Sequence, residues 1–242
     1  MPTNAKSFIT LVLAAGASVL FFAASHWSPA NLPAFGVFLG VTLIASTMKI
    51  RIPGMNGNMS PNFAMLLLGM VSFSFSEVIL VAFAAAILQS VWRPKERLRL
   101  VQICFNGATL PVTCTVAFWS SGAIVRYLSP NFPVALVLLA GCVYLSLNTA
   151  MVSIVVGLVE GKKLSQVWRN CYDSVFPYFL AGTFLVGLLA GSMTDPSSWR
   201  RTVLLLPVML LGHHYLVGRF RIVPFPKYQL KETTEEETLV GV

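Results

Sequence analysis

The chain has 242 residues, of which 56% are hydrophobic and only 11% charged, and its mean hydropathy is +0.74. A soluble domain clothes itself with about 25% charged residues, so this composition excludes an ordinary water-facing globule and fits a surface that meets lipid. The net charge of +8 is spread in short runs between apolar blocks. That placement points to membrane topology and away from a nucleic-acid surface.

A helix crosses a bilayer with about 20 apolar residues, within a range of about 17–25. Phe8–Ser25 meets that length. Lys6 before it and Ala23-Ala24-Ser25 after it imitate a signal peptide, but the apolar core is long and further spans follow, so it reads as a retained first helix. Leu32–Met48 is the second span. The stretch from Lys49 to Phe63 then carries two Pro and two Gly, which predict a structured turn. Asn62–Trp92 is apolar except for Ser72-Phe73-Ser74-Phe75-Ser76-Glu77 at its middle. Two short spans, Asn62–Phe75 and Val78–Trp92, fit it best; a re-entrant pair or one long broken helix is the alternative. Val101–Val125, Pro133–Val159, Val175–Met193 and Thr202–Gly218 complete the set.

None of these blocks alternates as a barrel strand does. The expected fold is therefore all-α: a polytopic transmembrane helical bundle of about eight spans (6–8), occupying residues 1–218. Residues 219–242 are expected to be a disordered cytoplasmic tail. With the N-terminus inside, eight spans place fourteen cations on the inner side: Lys6, Lys49, Arg51, Arg93, Lys95, Arg97, Arg99, Lys162, Lys163, Arg169, Arg219, Arg221, Lys227 and Lys231. Only Arg126, Arg200 and Arg201 fall outside. This asymmetry is what the positive-inside rule demands. It sets an N-in, C-in orientation in a cell inner membrane and an even number of crossings in Asn62–Trp92.

Several side chains are candidates for binding. Asn56, Asn58 and Asn62 sit in or beside the Pro/Gly turn. That loop either lines a cavity or contacts a partner, or it rests at the interface with Lys49 and Arg51 on lipid phosphates. Glu77 is the one acid near the middle of its block. It is either a functional intramembrane acid or the N-terminal cap of the following helix, favoured by the helix dipole. Gln89, Asn106 and Asn148 lie in or near spans, where such side chains hydrogen-bond across helices or read a ligand. Arg93, Lys95, Arg97 and Arg99 form one basic inner loop, and Lys162, Lys163 and Arg169 a second. Both suit anionic lipid or a cytoplasmic partner. Cys104, Cys114, Cys142 and Cys171 form no CxxC pair and read as reduced packing residues. His213 and His214 are adjacent, about 100° apart on a helix, and so do not chelate one ion. No nucleotide loop, HExxH, GxSxG or EF-hand pattern occurs, so neither catalytic residues, nor a metal, nor a cofactor is nominated.

Three stretches carry a resemblance. Lys49–Phe63, then Gln102-Ile103-Cys104-Phe105-Asn106, then Tyr144-Leu145-Ser146-Leu147-Asn148-Thr149 with Glu160-Gly161-Lys162 and Trp168-Arg169, resemble the N-terminal membrane module of bacterial HD-GYP and GGDEF signalling proteins, acidobacterial ones included. Such modules belong to the membrane-associated sensor (MASE-like) class. The resemblance spans roughly Phe8 to Gly218 and implies a sensory or anchoring role coupled to cyclic dinucleotide turnover. No HD-GYP or GGDEF sequence follows Gly218. The expectation is a stand-alone sensory or scaffolding module acting through a signalling partner or an oligomer. A small-solute transporter, or the substrate-binding membrane subunit of one, is the competing expectation because the Asn62–Trp92 region is interrupted. A lipid-acting enzyme is weaker, for want of an acid or nucleophile constellation.

Overall fold

The computed structural model describes residues 1–51, 58–92, 99–128, 133–192 and 199–220. Among them are eight helices: α1 (Thr3–Ser25), α2 (Leu32–Thr47), α3 (Asn62–Ser72), α4 (Phe75–Val91), α5 (Leu100–Leu128), α6 (Pro133–Glu160), α7 (Leu164–Ser192) and α8 (Trp199–Phe220). One short ladder accompanies them, with β1 (Ile50–Arg51) antiparallel to β2 (Asn58–Met59). The Pro/Gly turn is thus a small hairpin, an element that apolar periodicity does not reveal.

Among the described residues, three helical stretches are long and apolar enough to cross a membrane: Thr3–Ser25, Leu100–Ile124 and Val134–Glu160. They make the chain a membrane protein of the helical class. α2, α3 and α4 are apolar but shorter, at 16, 11 and 17 residues. At 1.5 Å per residue α3 is only about 16 Å long, roughly half of a ~30 Å hydrocarbon layer.

The break between α3 and α4 has a local cause. Ser74 and Glu77 form a reciprocal capping box. Glu77 Oε2 accepts from the Ser74 N–H at 2.9 Å and from the Ser74 hydroxyl at 2.7 Å, while Ser74 Oγ accepts from the Glu77 N–H at 3.4 Å. Those bonds satisfy donors that a continuous helix would have satisfied with carbonyls. α2 starts by the same logic, with Asn31 Oδ1 accepting from the Ala34 N–H at 3.0 Å. α6 ends at Gly161, whose φ of +67° is the left-handed turn that glycine adopts freely. Pro111, Pro177 and Pro207 lie inside α5, α7 and α8. Membrane helices tolerate such prolines because neighbouring groups take up the freed backbone.

Two expectations need correction. α7 begins at Leu164, so Arg169 belongs to its first turns and not to the basic inner loop ahead of Val175. Of the cysteines, Cys114 is buried, whereas Cys104 and Cys142 are exposed and do no core packing. At the far end α8 continues to Phe220, two residues past the boundary set for the tail; residues 221–242 lie outside the described ones.

α3 is the core. Every residue from Asn62 to Met70 is buried, and α3 packs against α2, α4, α6, α7 and α8. The Phe63 ring lies 4.1 Å from Phe179 and 5.3 Å from Tyr178, centroid to centroid. It fills the space left by Gly182, where any Cβ would collide with it. At the other end Phe38 stacks on Phe73 at 4.4 Å and lies over Gly69, whose missing Cβ gives it room.

Candidate functional site

The two ends of α3 are chemically different. At the hairpin end, Asn62 is 3% exposed. Its amide donates to Gln89 Oε1 at 3.1 Å and to Ser46 Oγ at 3.3 Å. Ser46 in turn donates to the Thr42 carbonyl at 2.8 Å. Beside Gln89, the Ser90 hydroxyl donates to the Ala86 carbonyl at 2.8 Å and accepts from the Asn106 amide at 3.1 Å. Four helices, α2 to α5, are therefore joined near one level by side-chain hydrogen bonds. In an apolar surround each such bond contributes about 0.6 kcal/mol, and at most about 1.7.

Lys49 follows α2 and donates from Nζ to the Trp92 carbonyl at the end of α4. Partial burial at that place lowers its pKa below the ordinary 10.5. The bond ties the entrance of the hairpin to the exit of α4.

At the opposite end, Glu77 is 3% exposed and closes a cavity of about 140 Å³ between the α1–α2 connection, the C-terminus of α3 and the N-terminus of α4. The Ser76 hydroxyl donates to the His26 carbonyl at 3.3 Å and fastens the α1–α2 connection over it.

The sequence candidates thus divide into groups. Asn62, Gln89 and Asn106 are brought together, through Ser46 and Ser90. Glu77 stands at the other end of α3, about 16 Å away along the helix. Asn148 is half-buried on α6 and takes no part in the hydrogen bonds of either group. Asn58 lies in β2 opposite Arg51 in β1. Asn56, Arg93, Lys95 and Arg97 lie outside the described residues. Arg99, Lys163 and Arg169 are exposed. Lys162 pairs with Glu160 at 2.6 Å in an exposed ion pair that contributes little. The Arg99 N–H donates to Gln102 Oε1 at 2.9 Å and so caps α5.

Ser46, Ser90 and Ser72 escaped the sequence reading. Serine is common near helix ends, and no local spacing links Ser46 to Asn62. Gln89, with Asn62 and Asn106, was the visible trace of the inner cluster. Chemically the described part of the hairpin end offers amides, hydroxyls and the Lys49 ammonium, groups that bind and orient polar partners. Among the described residues, no three of His, Cys, Asp and Glu gather at one place. Comparison with protein-family models, with curated proteins and with solved structures found no match.

Proposed function

We propose that the chain is a sensory or scaffolding module of the cell inner membrane, with eight crossings and both termini in the cytoplasm. It would act through a separate signalling partner, as the resemblance to the MASE-like modules of cyclic dinucleotide enzymes implies. The observation that carries this reading is α3. It is a short rod buried along most of its length, with a polar cluster and a hairpin at one end and a cavity with an acid at the other. In the proposed orientation the cavity faces outward and the hairpin inward, beside the basic loops. A rigid element that joins the polar cluster to the cavity is a means of biasing two helix packings from one end and reporting at the other. Membrane lipids, attracted by the inner cations, are the constant partners, and no nucleic acid is involved.

The direct experiment is purification of the tagged protein from native membranes, together with measurement of cyclic dinucleotide levels in a deletion strain. Retention of a cyclic dinucleotide enzyme and altered levels are expected; absence of both rejects the reading. Orientation is tested with Arg97→Cys and Lys162→Cys in intact cells. Both thiols should be reached only after the membrane is opened.

One observation favours the transporter reading. Discontinuous helices often build midplane binding sites, and α3 with α4 is such a pair. Substrate uptake lost in the deletion strain would support it, with unchanged cyclic dinucleotide levels.

A further inference from the structure

We infer that a groove on the lipid-facing surface of α5, α6 and α7 holds one acyl chain of an anionic phospholipid, with its headgroup at the α6–α7 turn. The groove measures about 490 Å³ and is walled by Val116 of α5, Trp168 of α7 and a stripe of α6. On that stripe Cys142, Ser146 and Ala150 follow one another at four-residue steps, with Leu147 beside them, and so share one face of the helix. The face is open: Val116, Cys142 and Ser146 are exposed, and only 22% of the most apolar window of α6 is buried. From Cys142 to Ala150 it runs about 12 Å, close to the depth of one leaflet, half of a ~30 Å hydrocarbon layer. Apart from the Ser146 hydroxyl the walls are apolar, which suits a hydrocarbon chain.

Charge at one end selects the lipid. Trp168 stands about one turn into α7, near the α6–α7 connection. Its ring stacks on Tyr172 at 6.1 Å, and Tyr172 on Phe176 at 5.1 Å, so the indole is a supported wall. Tryptophan is enriched where hydrocarbon meets headgroups. Residues 160–173 carry Lys162, Lys163 and Arg169 against Glu160 and Asp173, a net positive run. Lys162 is engaged with Glu160, while Lys163 and Arg169 are exposed. The first turn of α7 carries no acid, and the positive end of its dipole adds to these cations. Such a place draws an anionic headgroup in preference to a zwitterionic one. A second copy of the chain fits less well: in one membrane it shares the same orientation, and it brings its own cations against these. The inference deepens the proposed contact of the inner cations with lipid and rests on the proposed orientation for the choice of leaflet. It needs no signalling partner, so its failure leaves the signalling reading standing.

The test uses the full chain in vesicles of phosphatidylcholine and phosphatidylglycerol and reads tryptophan emission, which bromine quenches on contact. Two preparations of the same composition are compared, with dibrominated chains on phosphatidylglycerol in one and on phosphatidylcholine in the other, at equal mole fraction. The quenching that disappears in Trp168→Phe is the share of Trp168. That share should be quenched about fivefold more effectively by the brominated phosphatidylglycerol, the preference that one cation near the surface supplies. Lys163→Gln combined with Arg169→Gln should bring the two lipids to parity. Ala150→Phe fills the groove and should reduce quenching of Trp168 by both lipids. Near-ultraviolet circular dichroism in micelles shows that the variants keep the fold. Equal quenching by the two lipids in the unaltered chain marks ordinary contact with bulk lipid and overturns the inference. So does a preference that survives loss of both cations, or quenching that falls as more protein is packed into each vesicle, the sign of a second copy in the groove.

Discussion

α1 and α3 are both apolar helices, yet they solve opposite problems. α1 has 23 residues, and only 22% of its most apolar window is buried. Its buried positions, Ala5, Ile9, Val12, Gly16 and Ala23, follow one helical stripe. The rest, including Leu11 at 67% and Phe21 at 78% exposure, faces outward. α3 has 11 residues and buries nine in succession. In lipid, exposed leucine or phenylalanine costs nothing, so association rests on close packing and on cross-helix hydrogen bonds. α1 needs one narrow seam, and α3 needs every side.

The contrast fails or sharpens under substitution. Phe63→Ala removes the ring that fills the space at Gly182 and should lower stability by about 3 kcal/mol, the low end for such a truncation because lipid does not punish apolar exposure. Phe21→Ala on α1 should stay within about 0.5 kcal/mol. Unfolding in mixed micelles measures both, and equal losses would end the comparison. Gly16→Leu attacks the seam itself. A Cβ there stands 2.5 Å from Ala108 Cβ and 2.7 Å from its Cα, so a loss of about 1–3 kcal/mol from overpacking is expected. A neutral result would mean that α1 is held by something other than that contact. Asn62→Leu removes two cross-helix bonds at the base of α3 and should cost about 1 kcal/mol, read by the same unfolding assay.

The smallest effect concerns Lys49. Burial lowers its folded pKa below 10.5, so the folded state holds that proton less tightly than the unfolded chain does. Its stability contribution is therefore least at neutral pH and rises as pH climbs through the folded pKa toward 10.5. Nitrogen NMR of labelled lysine should give a Lys49 midpoint below 10.5. A midpoint at or above it would contradict the burial.

Hydropathy made the long helices legible because their outer faces are uniformly apolar, and the polar run from Ser72 to Glu77 announced the break before α4. The hairpin was legible only as a turn, since two-residue strands leave no period. The polar cluster was half visible. Asn62, Gln89 and Asn106 stand out against apolar neighbours, but their convergence depends on tertiary packing that places α2, α3, α4 and α5 side by side. Phe63 gave no signal, because an aromatic residue in an apolar block looks the same whether it meets lipid or the centre of the bundle. The cavity was likewise unreadable: Ser72 and Ala30 become neighbours only when the α1–α2 connection folds over the α3–α4 turn.

The enclosure of α3 by later helices has a bearing on biogenesis. Synthesis delivers α3 well before α6, α7 and α8, which form much of its wall. During that interval the short helix, with Asn62 and Gly69, has only α2 and α4 of its walls in place. Insertion of the first five segments thus yields an open cradle, and the emerging C-terminal half acts as the lid that completes it.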